Sequence, residues 1–286
     1  MKDVQDLPQA MIHELEVVNV KTLNKSGTEK EQESSLQKVG NKLGRHPLYR
    51  LELKGGEVCF AKKIESQLEV QVLNLLNTDS NSTSRVPKIK WVDGDSTWLV
   101  TESVKGTHPN RYELMQSIQN VVEALVDCHQ TVALNAEIEL INHSENEILL
   151  FQQGEQYLDD VFQPIYQSAL SKIKSQHITP VLLHGDLVPE NILIDDGITR
   201  FIDWEFARQG DCRWDLAALI VEFELADDDI DLLLCVYQSV AHINRFDFKT
   251  KIKYWTDLYA IISYVWSKQH DQDAERYQVY LQARLT

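Results

Sequence analysis

His184-Gly185-Asp186-Leu187-Val188-Pro189-Glu190-Asn191 leads into the apolar run Ile192-Leu193-Ile194, the turn Asp195-Asp196-Gly197 and a second run ending in Phe201-Ile202-Asp203-Trp204. Short apolar runs bounded by turn residues read as strands. With Val181-Leu182-Leu183 in front, the segment reads as strand–loop–strand–turn–strand. The fixed positions are those of H-G-D-x-x-x-x-N and a later Asp. At about 5% frequency each, four such positions recur by chance on the order of once in 10⁵ starting points.

The chemistry that needs this spacing is phosphoryl transfer. It requires a group to accept or orient the proton of an attacking hydroxyl, and oxygen ligands to hold Mg²⁺ against a triphosphate. Mg²⁺ keeps several waters, so one carboxylate and an amide oxygen suffice. A short loop brings Asp186 and Asn191 to one side, and the hairpin returns Asp203 to the same mouth. Asp186 is the candidate base, and Asn191 and Asp203 are the candidate metal ligands.

Outward from this segment the chain has two characters. Residues 111–133 and 147–175 read as helical, and residues 213–286 are helical with aromatic-rich faces. Before Gly106 the pattern is different. Residues 48–53 alternate apolar and polar, Lys54-Gly55-Gly56 is a turn, and 58–64 return as a second strand of a hairpin. Residues 66–77 place Leu68, Val72, Leu75 and Leu76 on one helical face. Residues 88–92 and 97–104 are two further strands around Asp93-Gly94-Asp95, while 24–40 form a surface helix or loop and 78–87 a loop. The expected fold is α+β: an antiparallel β lobe with one helix over residues 1–103, and a larger helical lobe over 104–286 that carries the catalytic loop. Ligands often bind in clefts between such lobes.

The His184–Asp203 segment resembles the aminoglycoside phosphotransferase and choline kinase group, relatives of the protein kinases. In that group the catalytic loop reads H-G-D, and a bulky residue such as Trp follows the metal-binding Asp. This chain has His184-Gly185-Asp186 and Asp203-Trp204. Gly210-Asp211 and Asp215-Leu216-Ala217 match the group's G-D-P-x-x-D-L-A segment, with Cys212 where Pro is usual. The resemblance implies the protein-kinase-like two-lobed fold, with His184 and Asp215 as structural support of the loop. It also implies a strand lysine on the nucleotide phosphates, paired with a helix glutamate. Lys62 and Lys63 both lie on the right strand and face opposite sides. Lys62 is favoured because it shares a face with Val58 and Phe60, which could cover an adenine, and Glu69 is its expected partner. The hinge beside the adenine is expected at Glu102-Ser103-Val104. Gly40-Asn41-Lys42-Leu43-Gly44 is the nearest match to a glycine loop. The implied ligands are ATP and Mg²⁺.

The resemblance implies a small-molecule kinase that phosphorylates a hydroxyl of an aminoglycoside-, amino-alcohol- or sugar-like acceptor. A net charge of −16 argues against nucleic acid and anionic membrane partners and would favour a cationic acceptor by long-range steering. The alternative is a catalytically silent nucleotide-binding module of the same fold. A kinase acting on protein is disfavoured, because Gly185 replaces the usual Arg and no A-P-E-like segment follows Asp203. The acidic residues Glu222, Glu224, Asp227, Asp228, Asp229 and Asp231 are expected as a solvated loop and helix start, with the lining of a cationic-substrate site as the alternative, and Trp255, Tyr259, Tyr264 and Trp266 as a core stripe, with a choline-type aromatic cage as the alternative. The four cysteines, Cys59, Cys128, Cys212 and Cys235, form no C-x-x-C pair and are expected as buried free thiols. The N-terminal stretch shows no signal peptide, and no apolar run is long enough to span a bilayer. The expected location is cytoplasmic, and oligomeric state is not legible.

Overall fold

The computed structural model describes residues 7–23, 47–78, 85–95, 97–131, 154–176, 180–243 and 248–285. The proposed glycine loop Gly40–Gly44 and the segment 147–153 lie outside these residues. The chain divides into two compact units, one of residues 1–106 with Arg200–Glu205 and one of residues 107–199 with Phe206–Thr286.

The first unit is built on a five-stranded antiparallel sheet. Its strands are β1 (Val17–Leu23), β2 (Leu48–Leu53), β3 (Val58–Lys63), β4 (Ile89–Val92) and β5 (Trp98–Glu102), in the order β1-β2-β3-β5-β4. Gly56, at φ +83°, makes the β2–β3 turn in a conformation that favours glycine. The two-residue period puts Tyr49, Leu51, Cys59, Ala61 and Val100 on one face. There they pack with Trp98 and with Leu7 and Met11 of the N-terminal segment around helix α1 (Gln9–Glu14). β1 has no counterpart in the strands expected from sequence, which begin at residue 48. Its signal is the β-branched series Val17, Val18, Val20 and Thr22.

Helix α2 (Leu68–Asn77) buries Glu69, Val72 and Leu73. Its expected stripe therefore shifts. Leu68 and Leu75 are only half-buried, and the inward face is set by an acid, Glu69, whose partner is described below.

The second unit begins with α3 (Arg111–Gln116) and α4 (Ile118–Gln130). A single helix over 111–133 is expected from sequence, but the chain breaks at Ser117. Asn110 starts α3 with a reciprocal capping box to Glu113. Two 3₁₀ turns, Glu155–Tyr157 and Asp160–Phe162, precede α5 (Gln163–Lys174), which opens with proline in its first turn. The strands of this region are β6 (Val181–Leu183), β7 (Ile192–Asp195), β8 (Ile198–Phe201) and β9 (Arg208–Gly210). They do not form one continuous sheet: β7 pairs with β8, while β6 pairs with β9.

Helix α6 (Arg213–Glu222) is buried on every side, all 10 residues of it, as a central helix must be. Around it stand α7 (Asp227–Val240), α8 (Phe248–Gln269) and α9 (Glu275–Ala283). The aromatic stripe of α8 is core at Trp255, Tyr259 and Tyr264. Trp266 departs from it: it is 41% exposed and stacks on His270 at 4.5 Å. Cys59, Cys128 and Cys212 are buried free thiols, but Cys235 is exposed. The reason is helical: α7 turns Leu233, Leu234 and Tyr237 inward, and Cys235 lies on the other side. Among the described residues no helix is long and apolar enough to cross a membrane.

Candidate active site

In the first unit the ion pair is set by strand parity and helix phase. Lys62 shares a face of the sheet with Val58 and Phe60, and Leu99 stands opposite it on β5. Its Nζ lies 2.8 Å from Glu69 Oε2 and also contacts Asp203 Oδ1. Burial opposes the ammonium charge, but Glu69 and Asp203 outweigh burial and raise the Lys62 pKa above that of an ordinary lysine. Lys63, directed to the opposite face, is exposed. The contact of Lys62 with Asp203 is one reason Arg200–Glu205 packs with the first unit rather than with its neighbours in sequence. A second is the Trp204 amide, which donates to Glu69 Oε1 at 3.3 Å. Trp204 itself is fully buried, and its Nε1 donates to the Phe201 carbonyl at 3.2 Å. Asp203 has φ +66°, a left-handed conformation uncommon for a side-chain-bearing residue. Strain of this kind persists where surrounding contacts over-determine it.

At the expected hinge, Glu102 ends β5 and exchanges bonds with Lys88: its amide donates to the Lys88 carbonyl at 2.9 Å, and its Oε1 accepts from the Lys88 amide at 3.2 Å. The Ser103 amide donates to the Val58 carbonyl at 3.1 Å, so that donor is already committed. Val104 is half-buried.

In the second unit the catalytic loop is held by its backbone. Asp215 is fully buried on α6, with Oδ2 accepting the His184 amide at 2.8 Å and Oδ1 the Gly185 amide at 2.9 Å. Burial alone would push its carboxyl up, but the His129 hydrogen bond, the neighbouring histidines and the Gly185 amide hold it below the usual carboxylate range. His184 is fully buried, and its Nδ1 accepts the Asp186 amide at 3.3 Å. Gly185 has φ +86°, and a Cβ there would collide with the Phe206 carbonyl. That close approach explains why no arginine follows the histidine in this loop. The indole Nε1 of Trp214 donates to the Gly185 carbonyl at 3.2 Å, and the Arg208 guanidinium lies over the Trp214 ring at 4.9 Å.

Asn191 is buried, and its Nδ2 donates to the Asp186 carbonyl at 2.8 Å and to Asp186 Oδ2 at 3.1 Å. Its amide nitrogen is thus spent on orienting Asp186. Asn191 and Asp203 each carry side-chain oxygen, the donor type that suits Mg²⁺. Among the described residues no group of three or more His, Cys, Asp or Glu converges as a metal site.

Two features of this region, the roles of Trp214 and His129, have no counterpart in the sequence reading, and a third, Glu222, departs from the solvated place expected for its acidic run. Trp214 lies within the quoted Asp211–Asp215 segment, but its bond to Gly185 has no local signature. His129 ends an apolar helix and meets Asp215 only in the folded chain. Glu222 is buried while the other acids of its run are solvated or half-buried. It accepts from Tyr259 Oη at 3.0 Å, Tyr277 Oη at 2.6 Å and Arg276 Nη1 at 2.6 Å. Burial pushes its carboxyl up, against the opposing pull of these partners.

A family model described as the phosphotransferase enzyme family matches residues 60–234. The chain is 32% identical over 106 residues to protein LicA of Haemophilus influenzae, covering 36% of this chain and 40% of that protein. It is 28% identical over 157 residues to a LicA homolog of Mycoplasma capricolum, covering 54% of this chain and 62% of that protein. The chain thus spans less than two thirds of the length of these relatives. Among solved structures it is similar to the choline kinase LicA of Streptococcus pneumoniae, with a TM-score of 0.71 at 19% identity over 100% of this chain and 98% of that one. It is also similar to the macrolide 2'-phosphotransferase MphH of Brachybacterium faecium, with a TM-score of 0.67 at 14% identity over 98% of this chain and 96% of that one. The α+β, protein-kinase-like fold expected from the catalytic loop is the fold these structures share with the chain.

Proposed function

Because this chain belongs to the phosphotransferase enzyme family, we propose that it transfers the γ-phosphoryl group of ATP to a hydroxyl of a small amino alcohol, with choline as the first candidate. The observation that carries the reaction type is the Asp186–Asn191 pair on a loop whose backbone is clamped by Asp215. The choice of amino alcohol rests on the choline kinase LicA structure and the LicA relatives, and on a net charge of −16, which favours a cationic acceptor.

Bound Mg-ATP would supply the phosphoryl group and the neutralising cation. Lys62, held by Glu69, contacts the phosphates. Asn191 and Asp203 offer oxygen ligands to Mg²⁺. Asp186 accepts or orients the proton of the acceptor hydroxyl, with its carboxylate fixed by the Asn191 amide. Val58 and Phe60 cover the adenine, and the segment Glu102–Val104 borders it.

The test is ADP release from Mg-ATP by the purified chain, run with choline, ethanolamine, aminoglycosides, sugars and hydroxy amino acids. Strong stimulation by an amino alcohol is the expected result. Stimulation by another class alone would overturn the acceptor assignment, and Mg-ATP binding with no stimulation would support a silent nucleotide-binding module.

The lysine assignment makes a separate prediction. Lys62→Met should raise the KM for ATP roughly 10- to 100-fold, the scale of one lost charge-assisted hydrogen bond. Lys63→Met should leave it within about twofold, because an exposed lysine has little to lose. Steady-state kinetics at varied ATP decide between them, and a larger effect from Lys63→Met would reverse the assignment.

A further inference from the structure

Behind the catalytic loop lies a buried chain of side chains that the proposed reaction does not itself require. His129, at the end of α4, is 3% exposed. Its Nε2 lies 3.0 Å from Asp215 Oδ2, and its Nδ1 lies 2.7 Å from Tyr237 Oη on α7. Tyr237 is 1% exposed; its ring meets His129 edge-on at 5.8 Å and stacks on Phe248 at 6.1 Å. The nearby Cys212 thiol, at the start of α6, donates to Asp211 Oδ1 at 3.9 Å and stands outside this chain.

Asp215 sets the direction of the donors and acceptors in this chain. Asp215 already accepts two loop amides, and as an ionised carboxylate it accepts from the ring as well, so Nε2 carries hydrogen. In the neutral ring Nδ1 is then the acceptor, and the Tyr237 hydroxyl donates to it. The order is Tyr237, His129, Asp215, and then the amides of His184 and Gly185.

We propose that Tyr237 and His129 are positioning residues of the catalytic loop. Tyr237 fixes the tautomer and orientation of His129, His129 fixes the Asp215 carboxylate, and that carboxylate holds the two amides from which Asp186 is aimed. A ring without its Nδ1 partner can rotate or exchange tautomers, and the carboxylate then loses its fixed third donor. Small errors of this kind matter, because catalytic groups must be held within about half an ångström of their working geometry.

The effect on turnover rests on the phosphotransferase reading above, but the effect on the loop amides does not. The test therefore uses two readouts on the full chain and on Tyr237→Phe, His129→Ala and His129→Gln. The first is hydrogen exchange at the His184 and Gly185 amides. Tyr237→Phe and His129→Ala should accelerate it about tenfold, the scale of one buried hydrogen bond. His129→Gln, whose amide can keep an N–H donor towards Asp215, should restore most of the protection. The second readout is kinetic: kcat should fall about tenfold in the first two variants, with the KM for ATP within about twofold.

If Tyr237→Phe does not fold, the contrast between His129→Gln and His129→Ala decides the matter. Folded variants with unchanged amide exchange, or with KM altered and kcat intact, would overturn the proposal. A wild-type chain that phosphorylates no acceptor would overturn the phosphotransferase reading instead, and amide exchange would still decide this one.

Discussion

Asp186→Asn should lower kcat by roughly 10²- to 10⁴-fold, the range a positioned proton acceptor contributes, while Mg-ATP binding stays near the wild-type value. Two contacts make this substitution selective. Asn191 Nδ2 donates to both the Asp186 carbonyl and Oδ2, and the Asp186 amide donates to His184 Nδ1. The backbone bonds survive the change, so the loop keeps its shape. An asparagine can still place its carboxamide oxygen against Asn191, but it cannot take a proton from a hydroxyl. Lys62 and Glu69, proposed above to serve the phosphates, belong to the other unit and keep their own ion pair. Isothermal titration with Mg-ATP and steady-state ADP release separate the two effects. A variant that turns over within about fivefold of wild type would remove Asp186 from the role of base.

Asp215→Ala should cost about 3–5 kcal/mol of stability, the penalty for breaking a buried, fully bonded charge site. The carboxylate is fully buried and serves the His184 amide, the Gly185 amide and the His129 ring. Truncation leaves those donors without their acceptor in a site closed to water. In a chain of this size such a loss lowers Tm by on the order of 10 °C. Asp215→Asn, which keeps one acceptor oxygen, should fall between Ala and wild type.

The pH dependence has a definite sign. The folded carboxyl is held below its ordinary range, so its contribution is complete above the unfolded value. It fades as pH falls through the lower, folded value. Thermal melts followed by circular dichroism at neutral pH test the magnitude. An alanine variant melting within a degree or two of wild type would mean that the loop is held by something other than Asp215.

The catalytic loop was legible in the sequence because its chemistry is local. His184, Asp186 and Asn191 stand within one short loop, and the bonds that orient Asp186 run between residues no more than five apart. Lys62 and Glu69 were legible for a different reason: strand parity and helix phase each select one residue, and the two selections meet in an ion pair. Other features depend on contacts that no local period encodes. His129 reaches Asp215 across 86 residues and Tyr237 across 108. Trp214 closes on Gly185 across 29. The pairing of β6 with β9, in place of its neighbour β7, is likewise set by the folded unit. The stretch Val17–Leu23 carried a β-branched signal, but its place beside β2 depends on a register with Leu48–Leu53 that is visible only once the two strands pair.

The most direct test of the central claim is to follow Mg-ATP, choline and the purified chain by phosphorus NMR. The expected result is a phosphomonoester signal that grows at the expense of the ATP γ-phosphate, with ADP formed in equal amount and no signal growth in Asp186→Asn. Conversion of ATP to ADP and orthophosphate alone, or no consumption of ATP with any hydroxyl acceptor, would contradict it.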